Sequence, residues 1–216
     1  MIEHVYRRAT AATLVHAAVV ATDDERIARA VEGFGGAAIM TRADHVSGTD
    51  RIAEVVAQLP CRLVVNVQGD EPLIDPGTID AAIAPMLADP SLEMSTLSRP
   101  LGDLELQTKS VVKVVTDLQG GALHFSRSPM PGSSAHIGLY VYRRDVLLKL
   151  AGLLPAPLEV LESLEQLRAL SHGIGIRVVP TSHASAGVDT PEDLERVRQL
   201  MMAPHKGASH LASSRT

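Results

Sequence analysis

Short apolar runs alternate with segments of helical spacing over residues 1–90. Ile2, Val5 and Tyr6 lie on one face of a helix, which predicts that the sequence opens on a helix. The apolar run 17–21 then predicts a first strand, because it is short and uninterrupted. Residues 22–25, Thr-Asp-Asp-Glu, predict the start of a second helix, since a capping residue is followed by acidic residues in the first turn.

The same alternation continues through the next strands and helices. The second helix is predicted to end at Gly35-Gly36, a strand to follow at 37–40, and a third helix to open at 47–50. The third strand, 62–67, is apolar through its centre, which is typical of a parallel strand covered by helices on both faces. Repeated alternation of strand and helix predicts an α/β fold with a doubly wound, mostly parallel, Rossmann-like sheet.

The pattern changes between residues 94 and 144, where strand-like pieces follow one another without helical segments. Proline and glycine fill the linkers, which predicts a mixed or antiparallel subsheet inserted into the α/β body, with a possible role as a dimer contact. The strand-like pieces are 94–97, 110–116, 122–125 and 137–142.

Helical spacing returns towards the end of the sequence. Helices are predicted at 157–170 and 191–202, with a strand at 176–180 between them. Residues 203–216 have no periodicity and are predicted to be a disordered tail. A single domain over 1–202 therefore accounts for the whole periodic part of the sequence.

Composition and charge exclude several function classes. Lys and Arg number 20 against 25 Asp and Glu, a net charge of −5, so nothing favours a nucleic-acid polymer as partner. The single cysteine, Cys61, excludes an internal disulfide framework and a cysteine-based zinc site, and it suits a reducing cytoplasm. No apolar segment approaches the roughly 18 residues that a membrane span needs.

The strongest candidate chemistry follows the third strand. Gln68-Gly69-Asp70 lies at the carboxyl end of that strand, where α/β sheets bind ligands. A carboxylate there suits Mg²⁺, which keeps water and substrate phosphates among its ligands, although Asp70 could instead cap the next helix in a solvated turn. Asp189 precedes a helix start at Thr190-Pro191 and is available as a second ligand, the alternative being an ordinary acidic helix start.

Three further segments carry candidate binding groups. The loop 41–51 mixes donors, acceptors and a glycine, so it can contact a nucleobase edge and an anion at a helix N-terminus, but it is a poor metal site. Arg127 could bind a substrate carboxylate with its guanidinium, although a structural role is the commoner one. Glu162, Glu165 and Gln166 are predicted to share one helical stripe, unless that stripe is simply a solvated face.

Common catalytic signatures are missing from the sequence. It contains no G-x-x-x-x-G-K-[ST] loop, no G-x-G-x-x-G after a strand and no G-x-S-x-G elbow. Kinase-like, dehydrogenase and hydrolase interpretations therefore lose support.

Taken in order, these segments resemble the 3-deoxy-manno-octulosonate cytidylyltransferase (CMP-Kdo synthetase) family. The most specific motifs are Val-Asn-Val-Gln-Gly-Asp-Glu-Pro at 65–72 and His-x-Ser-Gly-Thr-Asp-Arg at 45–51. The resemblance also covers 20–24, 110–115, 125–131, 136–143, 157–168 and 187–197. It implies a nucleotidyltransferase-like domain, a cytoplasmic homodimer, and transfer of the cytidylyl group of CTP to 3-deoxy-manno-octulosonate (Kdo). The products would be CMP-Kdo for lipopolysaccharide biosynthesis and pyrophosphate, with Mg²⁺ as the cofactor.

The resemblance also implies roles for particular residues. Asp70 and Asp189 would hold Mg²⁺. The cytidine site would be lined by Thr41, Arg42, Asp44, Ser47 and Gly48, with Gln68 nearby. The sugar acid would contact Arg127, His136, Tyr140, Glu165 and Gln166.

Two departures from the family pattern matter. Family members begin with a strand and a P-A-R-x-x-S-x-R-[LF]-P-G-K loop around the CTP phosphates, whereas Met1–Val5 matches the helix after that loop. We therefore expect an internal methionine to have been taken as the start, an unfilled sheet position, and a loss of several kcal/mol of transition-state stabilisation. The linker 132–135 is shorter than the family loop, which weakens the case for Kdo.

Because of these departures, two alternative functions stay open. One is a non-catalytic shortened relative that binds nucleotide or acts as a dimer partner. The other is a cytidylyltransferase for another sugar acid, such as a sialic acid.

Overall fold

The computed structural model describes residues 1–102, 104–183, 187–188 and 190–202. The helices are α1 Ile2–Ala11, α2 Glu25–Gly33, α3 Gly48–Val56, α4 Pro76–Ala88, α5 Arg144–Ala151, α6 Pro157–Glu162, α7 Gln166–Ser171 and α8 Pro191–Met202. The strands are β1 Val20–Thr22, β2 Ala38–Met40, β3 Leu63–Asn66, β4 Met94–Arg99, β5 Lys113–Thr116, β6 Ala122–Ser126, β7 Ser134–Arg143 and β8 Ile176–Pro180. The predicted tail, 203–216, and Asp189 lie outside the described residues.

The long strand β7 organises the main sheet. One edge of β7 pairs antiparallel with β5 near its start, where Ala135 faces Lys113, and with β3 near its end, where Tyr140 faces Asn66. Its other edge pairs antiparallel with β4, and β4 pairs in parallel with β8. The order β6-β5-β7-β4-β8 completes this sheet, and β1 and β2 form a separate parallel pair.

Helices cover both faces of the main sheet, as a doubly wound α/β fold requires. On one face Phe125 and Tyr142 pack with residues of α3, α5 and α7. On the other face Leu139 and Val141 pack with residues of α1 and α4. Because successive residues of β7 point to opposite faces, Tyr140 and Tyr142 share the side of α3.

The predicted α/β class is confirmed, but the direction of one strand differs from the prediction. β3 runs antiparallel to its partner β7, whereas its continuous apolar run predicted a parallel neighbour. An apolar run reports apolar contacts on both faces, and antiparallel β3 has them: Val64 packs against the core on one face of the sheet, and Leu63 and Val65 pack against the core on the other. β4 and β7, from the region 94–144, lie within the main sheet, while β5 and β6 extend it as an antiparallel pair.

The predicted helix 157–170 is wrong as a single element. It divides into α6 and α7 at Ser163, whose φ is +54° and whose backbone is left-handed. A non-glycine residue in this conformation ends a helix, and no glycine marks the position in the sequence. Two smaller shifts are that α2 ends at Gly33 and that the first strand begins at Val20.

Two consecutive arginines at the end of β7 fix the helices on either face. Arg143 donates to three carbonyl oxygens, two at the carboxyl end of α4 and one in the turn after it, at distances of 2.7–3.0 Å. Arg144 donates in the same way to two carbonyl oxygens at the carboxyl end of α3 and one in the turn after it, at 3.1–3.3 Å. Cations at helix C-termini satisfy otherwise unpaired carbonyl groups. α3 is thereby held with its amino end towards the polar loops described next.

Among the described residues, no helix has both the length and the apolar character needed to cross a membrane.

Candidate active site

The carboxylate of Asp70 is left available by the capping arrangement of the neighbouring helix. Asp75, not Asp70, caps α4, since its Oδ1 accepts from the backbone N–H groups of Gly77 at 2.8 Å and Thr78 at 3.2 Å. Asp70 is half-buried in the turn that follows β3. The alternative in which Asp70 caps the next helix is therefore wrong, and a role for the carboxylate towards a ligand remains.

A second segment runs beside the Asp70 turn. The backbone N–H of Val188 donates to the carbonyl oxygen of Asp70 at 2.9 Å. Thr190 and Asp193 bond reciprocally at the start of α8, with the Asp193 N–H donating to the Thr190 hydroxyl oxygen at 3.1 Å. The start of α8 therefore has a cap of its own, as the sequence predicted, and does not rely on Asp189.

The predicted nucleotide loop, residues 41–51, is held by its own side chains. Ser47 caps α3 by accepting from the Asp50 N–H at 3.2 Å. Arg51 donates to the hydroxyl oxygen of buried Thr41 at 2.5 Å and pairs with Asp23 at 3.2 Å. These bonds attach Thr41 to α3, whose start holds Ser47 and Gly48, and a Cβ placed on Gly48 would meet no atom within 4 Å.

Charged side chains of the same loop line a cavity of about 650 Å³. Arg42 is exposed and lies 3.3 Å from Asp44 and 3.8 Å from Glu54. His45 contacts the Glu54 carboxylate through Nε2, and this contact holds the pKa of Glu54 below its usual value. The cavity also includes Arg168, so it presents both signs of charge to a bound molecule.

The Arg127 guanidinium donates to two backbone carbonyl groups of the protein itself. Its Nε donates to the Glu162 carbonyl oxygen at 3.1 Å, and its Nη1 donates to the Lys109 carbonyl oxygen at 3.4 Å. The Glu162 carboxylate accepts from the Arg127 N–H at 3.0 Å and from the Ser126 hydroxyl at 2.8 Å. These contacts hold the segment that follows β6, so Arg127 and Glu162 have a structural role there.

Lys113 supports the segment after β6 from inside the protein. It is 0% exposed, and its Nζ donates to the carbonyl oxygens of Thr108 at 2.6 Å and Arg127 at 3.0 Å. Sequence reasoning missed this residue. The signal was a single lysine between pairs of valines, 111–112 and 114–115, in a predicted strand.

His136 and Tyr140 form an aromatic row along β7. The His136 ring lies 5.0 Å from Phe125 and 5.5 Å from Tyr140, measured between centroids. Burial lowers the pKa of His136 to about 3, so the imidazole is neutral at neutral pH. The Thr96 hydroxyl lies 2.8 Å from both His136 Nε2 and the Leu139 carbonyl oxygen. Because the carbonyl oxygen can only accept, we infer that the single Thr96 proton goes to it, that Nε2 donates to Thr96, and that Nδ1 is the acceptor.

Glu165 and Gln166 reach the site separately from Glu162. The break at Ser163 directs Glu162 to β6, whereas Glu165 accepts from the Thr49 hydroxyl at 2.5 Å. The prediction that Glu162, Glu165 and Gln166 share one stripe is therefore wrong. Gln166 is buried, and its Nε2 has no hydrogen-bond partner among the described residues. An unpaired buried amide beside a carboxylate is suited to accepting a polar ligand.

Gln68 follows β3 and lies two residues before Asp70. Its Nε2 donates to the Asn66 Oδ1 at 3.2 Å. Asn66 is paired in register with Tyr140 of the aromatic row. Sequence reasoning gave no role to Thr49, Asn66 or Tyr142, although each lies in or beside a motif that it singled out.

No group of three or more His, Cys, Asp or Glu side chains that could hold a metal ion occurs in the described ranges. A magnesium ion requires few protein ligands, because waters and substrate phosphates complete its shell. The Asp70 carboxylate is a hard oxygen donor of the kind that Mg²⁺ prefers, so the available chemistry fits this ion.

Known proteins share both the sequence pattern and the fold of this chain. The model of the cytidylyltransferase family matches residues 1–176. A solved 4-diphosphocytidyl-2C-methyl-D-erythritol synthase of Anaerococcus prevotii shares the fold at 12% identity, with a TM-score of 0.65 over 94% of this chain and 89% of that one. Fold and family model together define an enzyme of the nucleotidyltransferase class, a cytidylyltransferase.

More similar relatives specify the family. A 3-deoxy-manno-octulosonate cytidylyltransferase of Syntrophotalea carbinolica is 55% identical over 215 residues, which cover 91% of this chain and 86% of the relative. One of Geobacter sulfurreducens is 52% identical over 221 residues, with 93% and 88% covered. A solved CMP:2-keto-3-deoxy-manno-octonic acid synthetase complexed with CTP is 45% identical, with a TM-score of 0.89 over 93% and 86% of the two chains. The chain belongs to the 3-deoxy-manno-octulosonate cytidylyltransferase family.

Proposed function

We propose that this protein transfers the cytidylyl group of CTP to Kdo and releases pyrophosphate, with Mg²⁺ as cofactor, in the cytoplasmic supply of CMP-Kdo for lipopolysaccharide biosynthesis. The observation that carries the proposal is the likeness, at 45% identity and a TM-score of 0.89, to a synthetase of that name complexed with CTP. Two contacts support it: Thr49 of the loop 41–51 donates to Glu165 at 2.5 Å, and Gln68, two residues before Asp70, donates to Asn66 at 3.2 Å.

The reaction needs positioning and charge neutralisation more than covalent chemistry. A hydroxyl oxygen of Kdo forms a bond to the α-phosphorus of CTP, and the bond from that phosphorus to the pyrophosphate oxygen breaks. The hydroxyl proton is lost to water. We infer that Asp70 and Asp189 hold Mg²⁺, which neutralises phosphate charge when bound.

The protein's own residues would orient the two substrates. We infer that Thr41, Arg42, Asp44, Ser47 and Gly48 line the cytidine site together with Gln68. The neutral His136, with Nδ1 as acceptor, is suited to a sugar hydroxyl, as is Tyr140. We infer that Glu165 and Gln166 also contact the sugar acid, since Gln166 Nε2 is buried without a hydrogen-bond partner among the described residues. We retain a contact from Arg127 to the sugar acid as part of the proposal.

A substrate panel tests this proposal. Pyrophosphate release is measured with CTP, UTP, ATP or GTP, each with Kdo or a sialic acid, in the presence of Mg²⁺. We expect release with CTP and Kdo at least about 100-fold faster than with any other pair, since a site built for one base edge rejects the others strongly. Transfer to the sialic acid instead supports a different sugar acid, and no release with any pair supports a non-catalytic relative.

We also infer that the protein forms a homodimer. Leu118 and Leu123, both in the region 94–144, are 100% and 62% exposed, and Leu154 before α6 and Leu161 within it are 81% and 78% exposed. Exposed apolar side chains mark a protein interface where they join into one patch, which the following test examines at Leu123. Light scattering should give about twice the mass of 23.0 kDa, and Leu123→Asp should lower it. A mass of 23.0 kDa at all concentrations would contradict the inference.

A further inference from the structure

A row of polar side chains connects the turn that holds Asp70 with Glu165, at the amino end of α7. It starts at Gln68, which donates to Asn66. The Tyr142 hydroxyl interacts with the side chains of Asn66 and Thr49. Thr49 donates to Glu165 at 2.5 Å, a contact between residues 116 positions apart in sequence. The row therefore joins β3, β7, the amino end of α3 and the amino end of α7.

The central members of this row are deeply buried. Asn66, Thr49 and Tyr142 are 7%, 4% and 3% exposed. Buried polar groups must be satisfied by one another, because an unpaired one has a large desolvation cost. A shift of any member breaks several bonds at once, so the row fixes the relative positions of the four elements more sharply than apolar packing does.

One direction of hydrogen bonding satisfies the whole row. Two bonds of the row are observed, from Gln68 to Asn66 Oδ1 and from Thr49 to the Glu165 carboxylate. They leave the Asn66 amide N–H to donate to Tyr142 and the Tyr142 hydroxyl to donate to Thr49, since each Thr or Tyr hydroxyl has one proton. Burial, the largest cause, and the charge of Glu165 raise the pKa of Tyr142, so its hydroxyl keeps its proton as this direction requires. The donors all point towards the one acceptor that carries a negative charge.

The end of the row at Glu165 has little other support. Glu165 follows the left-handed Ser163 by two residues and stands at the amino end of α7, where no side-chain cap is formed. Thr49 is therefore the described hydrogen-bond donor that fixes the Glu165 carboxylate. Thr49 lies in the first turn of α3, directly after Ser47 and Gly48 of the proposed cytidine site.

We propose that Thr49 and Tyr142 are positioning residues that hold Glu165 for the acceptor sugar acid, and that they do so from the helix that carries the cytidine loop. This proposal rests on the proposed function and adds to it two residues and a physical link between the two substrate sites. Neither residue is required to touch a substrate.

The test compares Thr49→Val, which removes the hydroxyl at nearly constant volume, with Thr49→Ser, which keeps it. We expect Thr49→Val to raise KM for Kdo and to lower kcat, each roughly tenfold, because a hydrogen bond to a charged group is lost. KM for CTP should stay within about twofold, and Thr49→Ser should restore both values to within about threefold of the parent. Tyr142→Phe should change KM for Kdo in the same direction by a smaller factor.

Tyr6→Phe is the matched control for the loss of one tyrosine hydroxyl. The Tyr6 hydroxyl donates to the Ala18 carbonyl oxygen at 3.3 Å and accepts from the Ala37 N–H at 3.2 Å, both outside the row. It should leave both KM values unchanged. Equal changes in the two KM values of Thr49→Val, no change at all, or a failure of Thr49→Ser to restore activity would overturn the proposal.

A second measurement separates this proposal from the proposed function. Urea unfolding of Thr49→Val, Glu165→Gln and the double variant should show coupling of at least about threefold in the equilibrium constant, which needs no turnover. If the parent protein releases no pyrophosphate with any substrate pair, the proposed function fails while this link is still measured. Additive effects of the two substitutions would overturn the link itself.

Discussion

Replacing Asp70 with asparagine is expected to lower kcat for pyrophosphate release about 10³-fold, which corresponds to about 4 kcal/mol of transition-state stabilisation. Asparagine keeps the shape and a carbonyl oxygen, but it loses the negative charge that attracts a divalent cation. Because Asp70 does not cap α4, the melting temperature should stay within a few degrees of the parent value. Steady-state kinetics over a Mg²⁺ titration, together with a thermal melt, measure both effects.

Asp75→Asn is the matched control for this substitution. It alters an aspartate five residues away whose carboxylate accepts two backbone N–H groups at the start of α4. Asparagine is also a good capping residue, so the expected cost is below about 1 kcal/mol of stability, with kcat within about threefold of the parent. If Asp70→Asn retained more than about a tenth of the parent kcat at every Mg²⁺ concentration, the assignment of Asp70 to the metal would be wrong.

Replacing Arg168 with methionine is expected to cost about 3–5 kcal/mol of folding stability, the largest stability effect that we predict. Arg168 and Glu159 are 6% and 7% exposed, and Nη2 of Arg168 lies 2.5 Å from the Glu159 carboxylate. Asp50 lies 3.7 Å from the same guanidinium, so the pair also joins α3 to α6 and α7. Methionine would leave the Glu159 charge buried without its partner. Urea unfolding at neutral pH measures the change.

Two companion variants make this result interpretable. Arg196→Met removes a cation from an exposed pair with Asp193, where the guanidinium is 60% exposed, and should cost no more than about 0.5 kcal/mol. A Glu159→Met/Arg168→Met double variant should recover part of the loss, because no uncompensated charge of the pair remains. A cost below about 1 kcal/mol for Arg168→Met alone would show that the buried pair does not stabilise the fold as described.

Local signals in the sequence predicted many element boundaries. The capping residue Ser47 and the acids around 22–25 marked the starts of α3 and α2, and the strand 176–180 is where periodicity placed it. Such signals act over a few residues and do not depend on the rest of the chain. The direction of β3 and the position of β7 between β3, β5 and β4 depend on distant partners, so no local pattern could predict them.

In the candidate site, too, the sequence predicted features with local signals but not contacts between distant segments. The loop 41–51 and the Asp70 turn were recognisable, because each joins a strand to a helix at the edge where ligands bind. The contact between Thr49 and Glu165 was not, since it joins distant segments and depends on the helix break at Ser163. A serine in the left-handed conformation is enforced by tertiary packing, against its local preference. The buried Lys113 likewise needed the loops that surround it.

The product that this protein forms from CTP, Kdo and Mg²⁺ decides whether it is a cytidylyltransferase for Kdo. Phosphorus NMR of the reaction mixture distinguishes a new phosphodiester from CTP, CMP and pyrophosphate. We expect that a cytidine monophosphate ester of Kdo and pyrophosphate form in equal amounts, that neither forms after chelation of Mg²⁺, and that neither is formed by Asp70→Asn. Release of pyrophosphate with free CMP and no sugar ester, or an ester that forms equally well without Mg²⁺, would contradict the proposed function.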